Sequence, residues 1–170
     1  MKKNIFTAFI VLFLLSIFII VCANSYVSAV SSNISSSVFR LHVIANSDSS
    51  EDQNLKYIVR DRILDYMNSL VDTTISSKEE IMRIVSENLE NCRSIAQDTV
   101  YENGYDYNVN IEIGNFAFPT KAYGDIALPS GYYDALRVSI GEAKGKNWWC
   151  VMFPPLCFVD VSSGVVPEDS

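Results

Sequence analysis

Tyr105-Asp-Tyr-Asn-Val-Asn-Ile-Glu-Ile113 alternates without a fault. Tyr105, Tyr107, Val109, Ile111 and Ile113 share one face, while Asp106, Asn108, Asn110 and Glu112 take the other. A period of two predicts a half-buried strand, with one side on a core and the other wet. Upstream, Gly104 is a helix stop, and Ser77 with Glu80 three residues on is a helix start. Ile81, Ile84, Val85, Leu89, Cys92, Ile95 and Ala96 then recur at helical spacing, which predicts one amphipathic helix from Ser77 to Gly104. An earlier helix is predicted over about 51–71. Ser50 and Gln53 form its capping box, Leu55, Ile58, Val59, Leu64, Met67 and Val71 its apolar face, and Lys56 and Arg60 lie on other faces. Before it, Val38–Ala45 (VFRLHVIA) reads as a short strand ending in the turn residues Asn46-Ser-Asp-Ser-Ser50.

Downstream of Gly114, Phe116 to Tyr133 reads as a loop, and Leu136, Val138 and Ile140 mark another strand. The two alternating strands are expected to pair antiparallel across that insert. A last apolar run, Trp148 to Val161, is split by Pro154-Pro155 and supplies a possible terminal strand. Strand, helix, helix, strand, strand argues for an α+β fold, two amphipathic helices packed on a small, mainly antiparallel sheet.

The N-terminus is of another kind. Lys2-Lys3 precede Ile5–Ala23, where 17 of 19 residues are apolar. This is the pattern of a signal peptide or signal anchor, with the N-terminus in the cytoplasm and everything after residue 24 outside it. The run is long for a signal, which favours a retained anchor. Val21-Cys-Ala23 and Val27-Ser-Ala29 each offer small residues to a signal peptidase, so cleavage and anchoring both stand. Residues 24–37 hold seven serines and no charge, the composition of a flexible tether. The organisation is therefore 1–23 signal or anchor, 24–37 tether, and 38–170 one exported domain. Twenty acidic residues against 13 basic give a net charge of −7, and all the acids follow residue 47. No basic stripe exists for nucleic acid.

Chemistry is sparse. His42 is the only histidine, so zinc sites with two imidazoles are excluded. It is a structural strand residue or the base of a nucleophile pair with Cys150, Cys157 or a serine. Glu112 and Glu142 lie near the ends of the two alternating strands and could form the carboxylate pair of a glycosidase, or be solvated charges. Asp48, Glu51 and Asp52 fail the twelve-residue calcium loop and are read as helix-capping residues. No cofactor or small-molecule substrate is called for. Cysteines stand at 22, 92, 150 and 157. In an exported protein a Cys150–Cys157 disulfide is the leading account, with Cys92 a buried thiol. The rival bridge joins Cys92 to one of the two. The clusters Phe116–Phe118, Tyr132-Tyr133, Trp148-Trp149 and Phe153 are either core or a recognition surface anchored by aromatics.

Several strings together resemble the stage II sporulation protein R family. They are His42-Val-Ile-Ala-Asn-Ser-Asp48, Asp52-Gln53, Val59-Arg-Asp61, Phe118-Pro-Thr-Lys-Ala-Tyr-Gly124, Pro129–Val138, Ile140-Gly-Glu142 and Asn147–Phe158. The resemblance covers about residues 38–160 and implies signalling, not catalysis. Such proteins are made in the forespore and exported into the space between the two membranes. There they activate a membrane-embedded aspartic protease of the mother cell, which processes the sigma-E precursor. The family brings no catalytic residues to carry over. Members continue for some tens of residues past the Phe-Pro-Pro-Leu-Cys string, so a chain stopping at Ser170 reads as a truncated form. The partner-binding candidates are the polar loop with Asn46, Asp48 and Asp52, and the aromatic segments around Tyr123, Tyr132 and Trp148.

Overall fold

The computed structural model describes the backbone of residues 2–71, 77–123 and 126–155, and their side chains except in 2–9 and 27–32. Helix α1 spans Lys2–Ser37 and strand β1 Phe39–Ile44. Helices α2 (Ser50–Leu70), α3 (Lys78–Glu87) and α4 (Leu89–Glu102) follow. Then come β2 (Val109–Phe118), the short β3 (Lys121–Tyr123) and β4 (Ile126–Leu128), β5 (Gly131–Ile140) and β6 (Asn147–Phe153). The fold is α+β, with a four-stranded sheet in the order β2-β5-β1-β6 and a separate β3-β4 hairpin.

The alternating strand does pair antiparallel with β5, from Val109 opposite Ile140 to Phe118 opposite Gly131. It begins at Val109, and Tyr105 and Tyr107 stack on each other just before it. It also runs on to Phe118, so the predicted loop is the far half of one long hairpin bearing the β3-β4 arm. Alternation continues there with aromatics where a loop was expected. The central β1 runs parallel to β5 and antiparallel to β6.

Phe39, Leu41 and Val43 of β1 join Ile111, Leu136, Val138 and Cys150 in the main core beneath α2, α3 and α4. The sheet's second face carries a smaller cluster of Val38, Phe118, Leu128, Tyr133, Ala135 and Val151, covered by Ile34 of α1 and by Tyr123 of the arm.

Three expectations are corrected. The first cap is Ser49, whose hydroxyl accepts from Asp52 N, one residue earlier than Ser50 with Gln53. Gln53 Nε2 instead donates to Ser47 O, 2.8 Å. The predicted single helix from Ser77 is two, broken at Asn88. There the side-chain amide donates to Ile84 O and its oxygen accepts from Tyr66 Oη. An asparagine bonding its own backbone competes with helix continuation. The Ser77 cap itself stands, accepting from Glu80 N. Finally, residues 24–37 are helical in continuity with α1. No glycine or proline breaks them, and Ser36 and Ser37 hydroxyls donate back to Asn33 O. Lys78, 8% exposed, fastens this end by donating to Ser36 O at 2.9 Å and pairing with Asp134 at 2.6 Å. A cation at a helix C-terminus meets the negative end of its dipole.

Among the described residues no helix is long and apolar enough to cross a membrane. The described α1 side chains from Ile10 to Val21 are nonetheless largely exposed, Phe13 and Phe18 at 65% each.

Candidate functional site

The polar loop after β1 folds inward. Asp52, buried at the first turn of α2, accepts from Ser47 Oγ and from Asn46 Nδ2 at 2.8 Å. Burial alone would push its carboxyl up. Hydrogen bonds from Ser47, Asn46 and Tyr107 outweigh it and leave the group below the usual aspartate value. Asn46 Oδ1 accepts from Glu142 N at 2.9 Å, and Asp48 Oδ1 from Lys146 N at 2.7 Å. Lys144 N and Gly145 N donate to the Asn46 and Ala45 carbonyls. Gly145 passes so close to Ser47 that a β-carbon there would collide with its carbonyl oxygen. The loop is thus stitched to the β5–β6 turn by its own polar side chains. Lys56, placed by helical spacing off the apolar face, lies beneath it at 1% exposure, donating to Gln53 Oε1 at 2.6 Å and Lys146 O at 3.1 Å. Burial drives its pKa down to about 8.

The aromatic candidates separate. Trp148 packs on the main core with the Arg60 guanidinium 4.8 Å from its ring. Tyr123 Oη accepts from Arg40 Nη2 at 2.6 Å and donates to Trp149 O at 3.3 Å. Tyr132 is 68% exposed and has the open position of the three.

On the second face of the sheet Arg40 and His42 alternate with the core residues of β1. Arg40 is 0% exposed, boxed by Phe118 at 4.1 Å and Tyr133 at 4.9 Å from the ring centroids. Burial lowers its pKa, partly countered by the Tyr123 hydroxyl. His42, 8% exposed, bonds Asn147 Oδ1 through Nε2 at 2.7 Å. An amide oxygen only accepts, so Nε2 carries the proton. Burial lowers the imidazole's pKa, and Arg137 and Arg40 add to this against the Asn147 bond. Sequence reading passed over Arg40, although Arg40 and His42 at alternate positions of VFRLHVIA marked a second buried face.

The carboxylates do not converge. Glu112 pairs with Arg137 at 2.6 Å on the sheet face, and Glu142 with Lys144 at 2.8 Å in the β5–β6 turn. Glu112 stands three residues in from Val109, which faces the end of β5, about 10 Å along the strand. Glu142 lies beyond that end. Among the described residues no group of three histidine, cysteine or acidic side chains could hold a metal. A groove of about 430 Å³ between α2 and α4, lined by Arg62, Asp65, Asp98 and Glu102, holds no such constellation either. Cys92 is free and buried, with its thiol 3.8 Å from Met67 Sδ and pushed up by burial to about 11. Cys157 lies outside the described residues.

These features define a class: a small α+β domain, carried on a long N-terminal helix, whose polar residues serve its own loops and sheet faces. The family model described as stage II sporulation protein R matches residues 35–163. Stage II sporulation protein R of Bacillus subtilis (strain 168) is 36% identical over 168 residues, covering 96% of this chain and 75% of that protein. No solved structure matches the chain. The chain belongs to the stage II sporulation protein R family.

Proposed function

We propose that this protein is an exported signalling protein of sporulation. Its domain binds and activates a membrane-embedded aspartic protease of the mother cell, which processes the sigma-E precursor. The observation that carries this reading is family membership across nearly the whole folded domain. The N-terminal pattern supports the route: Lys2-Lys3, then an apolar helix whose described side chains find no protein partner layer. Apolar surface of that extent calls for a lipid or protein cover. Activation further requires that the domain bind the active arrangement of the receptor more tightly than the idle one.

The hydrolase reading loses its main support, since Glu112 and Glu142 are each paired with a different cation and lie far apart. The test is complementation. The chain, expressed in the forespore of a Bacillus subtilis strain lacking its own stage II sporulation protein R, should restore a sigma-E-dependent reporter. Folded His42→Ala and Glu142→Gln variants should restore it in proportion to protein level. No reporter activity from well-expressed, exported protein would refute the proposal. Loss of signalling in both variants with receptor binding intact would revive the enzyme reading.

A further inference from the structure

The sheet face turned away from the main helical layer holds polar nitrogens with no partner. Arg40 Nε and Nη1, His42 Nδ1 and Trp149 Nε1 are all buried and unbonded. These four form one cluster, whereas a fifth such nitrogen, Arg93 Nε, lies apart on α4. The Arg40 guanidinium lies 4.1 Å from the Phe118 ring centre, which lies 5.6 Å from the His42 ring. That ring in turn is 5.9 Å from Trp149. Native interiors rarely leave such groups unsatisfied, and a buried guanidinium without a counter-charge is the costliest of them. Among the described ion pairs, Arg137 on this face takes Glu112, and none involves Arg40. Three of the four nitrogens, those of Arg40 and Trp149, can only donate and lack acceptors; His42 Nδ1, with the ring proton on Nε2, is the one acceptor of the set.

Among the described residues the cover over this cluster is Ile34 of α1, the half-buried Phe116 ring and the β3-β4 arm. The β3-β4 arm consists of two three-residue strands paired only with each other. Tyr123 Oη bonds to Arg40 and to the Trp149 carbonyl, and Leu128 packs on the small cluster. A two-stranded hairpin this short has little stability of its own and opens readily. Lys121 on the arm lies 5.8 Å from the Trp149 ring centre, and Arg137 is a third exposed on the same face. Among the described residues named on this face, Arg40, Lys121 and Arg137 stand against the one carboxylate of Glu112, on a protein of net charge −7.

We infer that the sheet face beneath the β3-β4 arm is a docking site for a carboxylate-bearing segment of a partner protein. On docking, an acidic side chain replaces the Tyr123 hydroxyl at Arg40 and reaches the Trp149 indole. A negative group would satisfy the orphaned donors and be repelled by most of the remaining acidic surface, which confers specificity for this face. The identity of the partner as the receptor rests on the signalling reading; the site itself does not.

The test uses the full chain, nitrogen-15 labelled in neutral detergent, with a glutamate-rich peptide as probe and its glutamine counterpart as control. The Arg40 Nε–H and Trp149 Nε1–H resonances should shift saturably with the acidic peptide alone. Arg40→Lys should weaken binding by about tenfold or more. Tyr123→Phe, which leaves the ring in place, should tighten it by freeing the guanidinium. Resonances that stay put, that move equally with the glutamine peptide, or that respond instead to anionic lipid vesicles would overturn the site. So would Tyr123→Phe binding no better than the native chain. If the peptide test fails while the chain still restores sigma-E activity in cells, the docking site falls and the signalling proposal stands.

Discussion

Arg40 and His42 alternate along β1 with Phe39, Leu41 and Val43, so one strand serves two interiors of opposite chemistry. His42 should be a measurable pH liability. Burial, with Arg137 and Arg40 nearby, lowers its pKa in the fold below 6.5, while the unfolded chain titrates near that value. The unfolded state therefore binds the extra proton first. The contribution is fully present above pH 6.5 and is lost as pH falls toward the folded value. Urea midpoints taken on either side of pH 6.5 should fall on acidification, and fall less in His42→Gln. An equal drop in both proteins would show the imidazole uninvolved. At Gly145 the constraint is steric, because an added β-carbon meets the backbone carbonyl of Ser47. Gly145→Ala should cost about 2 kcal/mol, read by chemical denaturation, since backbone cannot step aside as a side chain can.

At the scale of elements, periodicity carried far but not to the ends. The alternation at Val109–Ile113 was legible because its two faces differ in polarity. Its extension through Phe116 and Phe118 was not, since aromatics and Pro119 resemble a loop. The Ser77 cap was legible and should matter. Ser77→Ala should lower stability by about 1 kcal/mol in the same denaturation assay, the usual worth of a cap hydroxyl. The burial of Lys56 was not legible, because helical spacing places it off the apolar stripe. Only the docking of the β5–β6 turn over α2 closes it in. Its pKa of about 8, against 10.5 for an ordinary lysine, has a definite sign. The unfolded lysine keeps its proton through that window while the folded one releases it, so stability from this group rises with pH between about 8 and 10.5. Lys56→Met should abolish that rise. A slope unchanged in the variant would place the titrating group elsewhere.

Over the whole molecule, Lys78 ties the end of α1 to β5, so the long helix enters the domain as a fixed stalk. The small-residue strings ending at Ala23 and Ala29 both fall on that helix. The free, buried Cys92 removes the rival bridge from helix to C-terminal segment. We expect Cys150 and Cys157 to pair in the exported protein, which would stabilise it by roughly 2.5 kcal/mol in the chain-entropy model. Mass mapping of the unreduced, digested protein should recover a peptide joining these two positions. A peptide containing Cys92, or free thiols at both 150 and 157, would show the expectation wrong.

Local pattern alone determined the α+β class, the antiparallel β2–β5 pair and the Ser77 helix start. Each follows from periodicity or capping chemistry that a short window contains. Family membership was likewise written in strings such as His42–Asp48 and Asn147–Phe158. Tertiary structure decided which polar residues face inward. Asn46 and Asp48 look like a surface loop until residues nearly a hundred positions later supply their donors, and Asp52 until that loop folds over it. Glu112 and Glu142 look like partners until sheet register sets Glu112 opposite Arg137. Arg40 looks like an ordinary surface cation until β5, β6 and the arm close around it. Burial is a sum over distant segments, and no single window of sequence contains that sum.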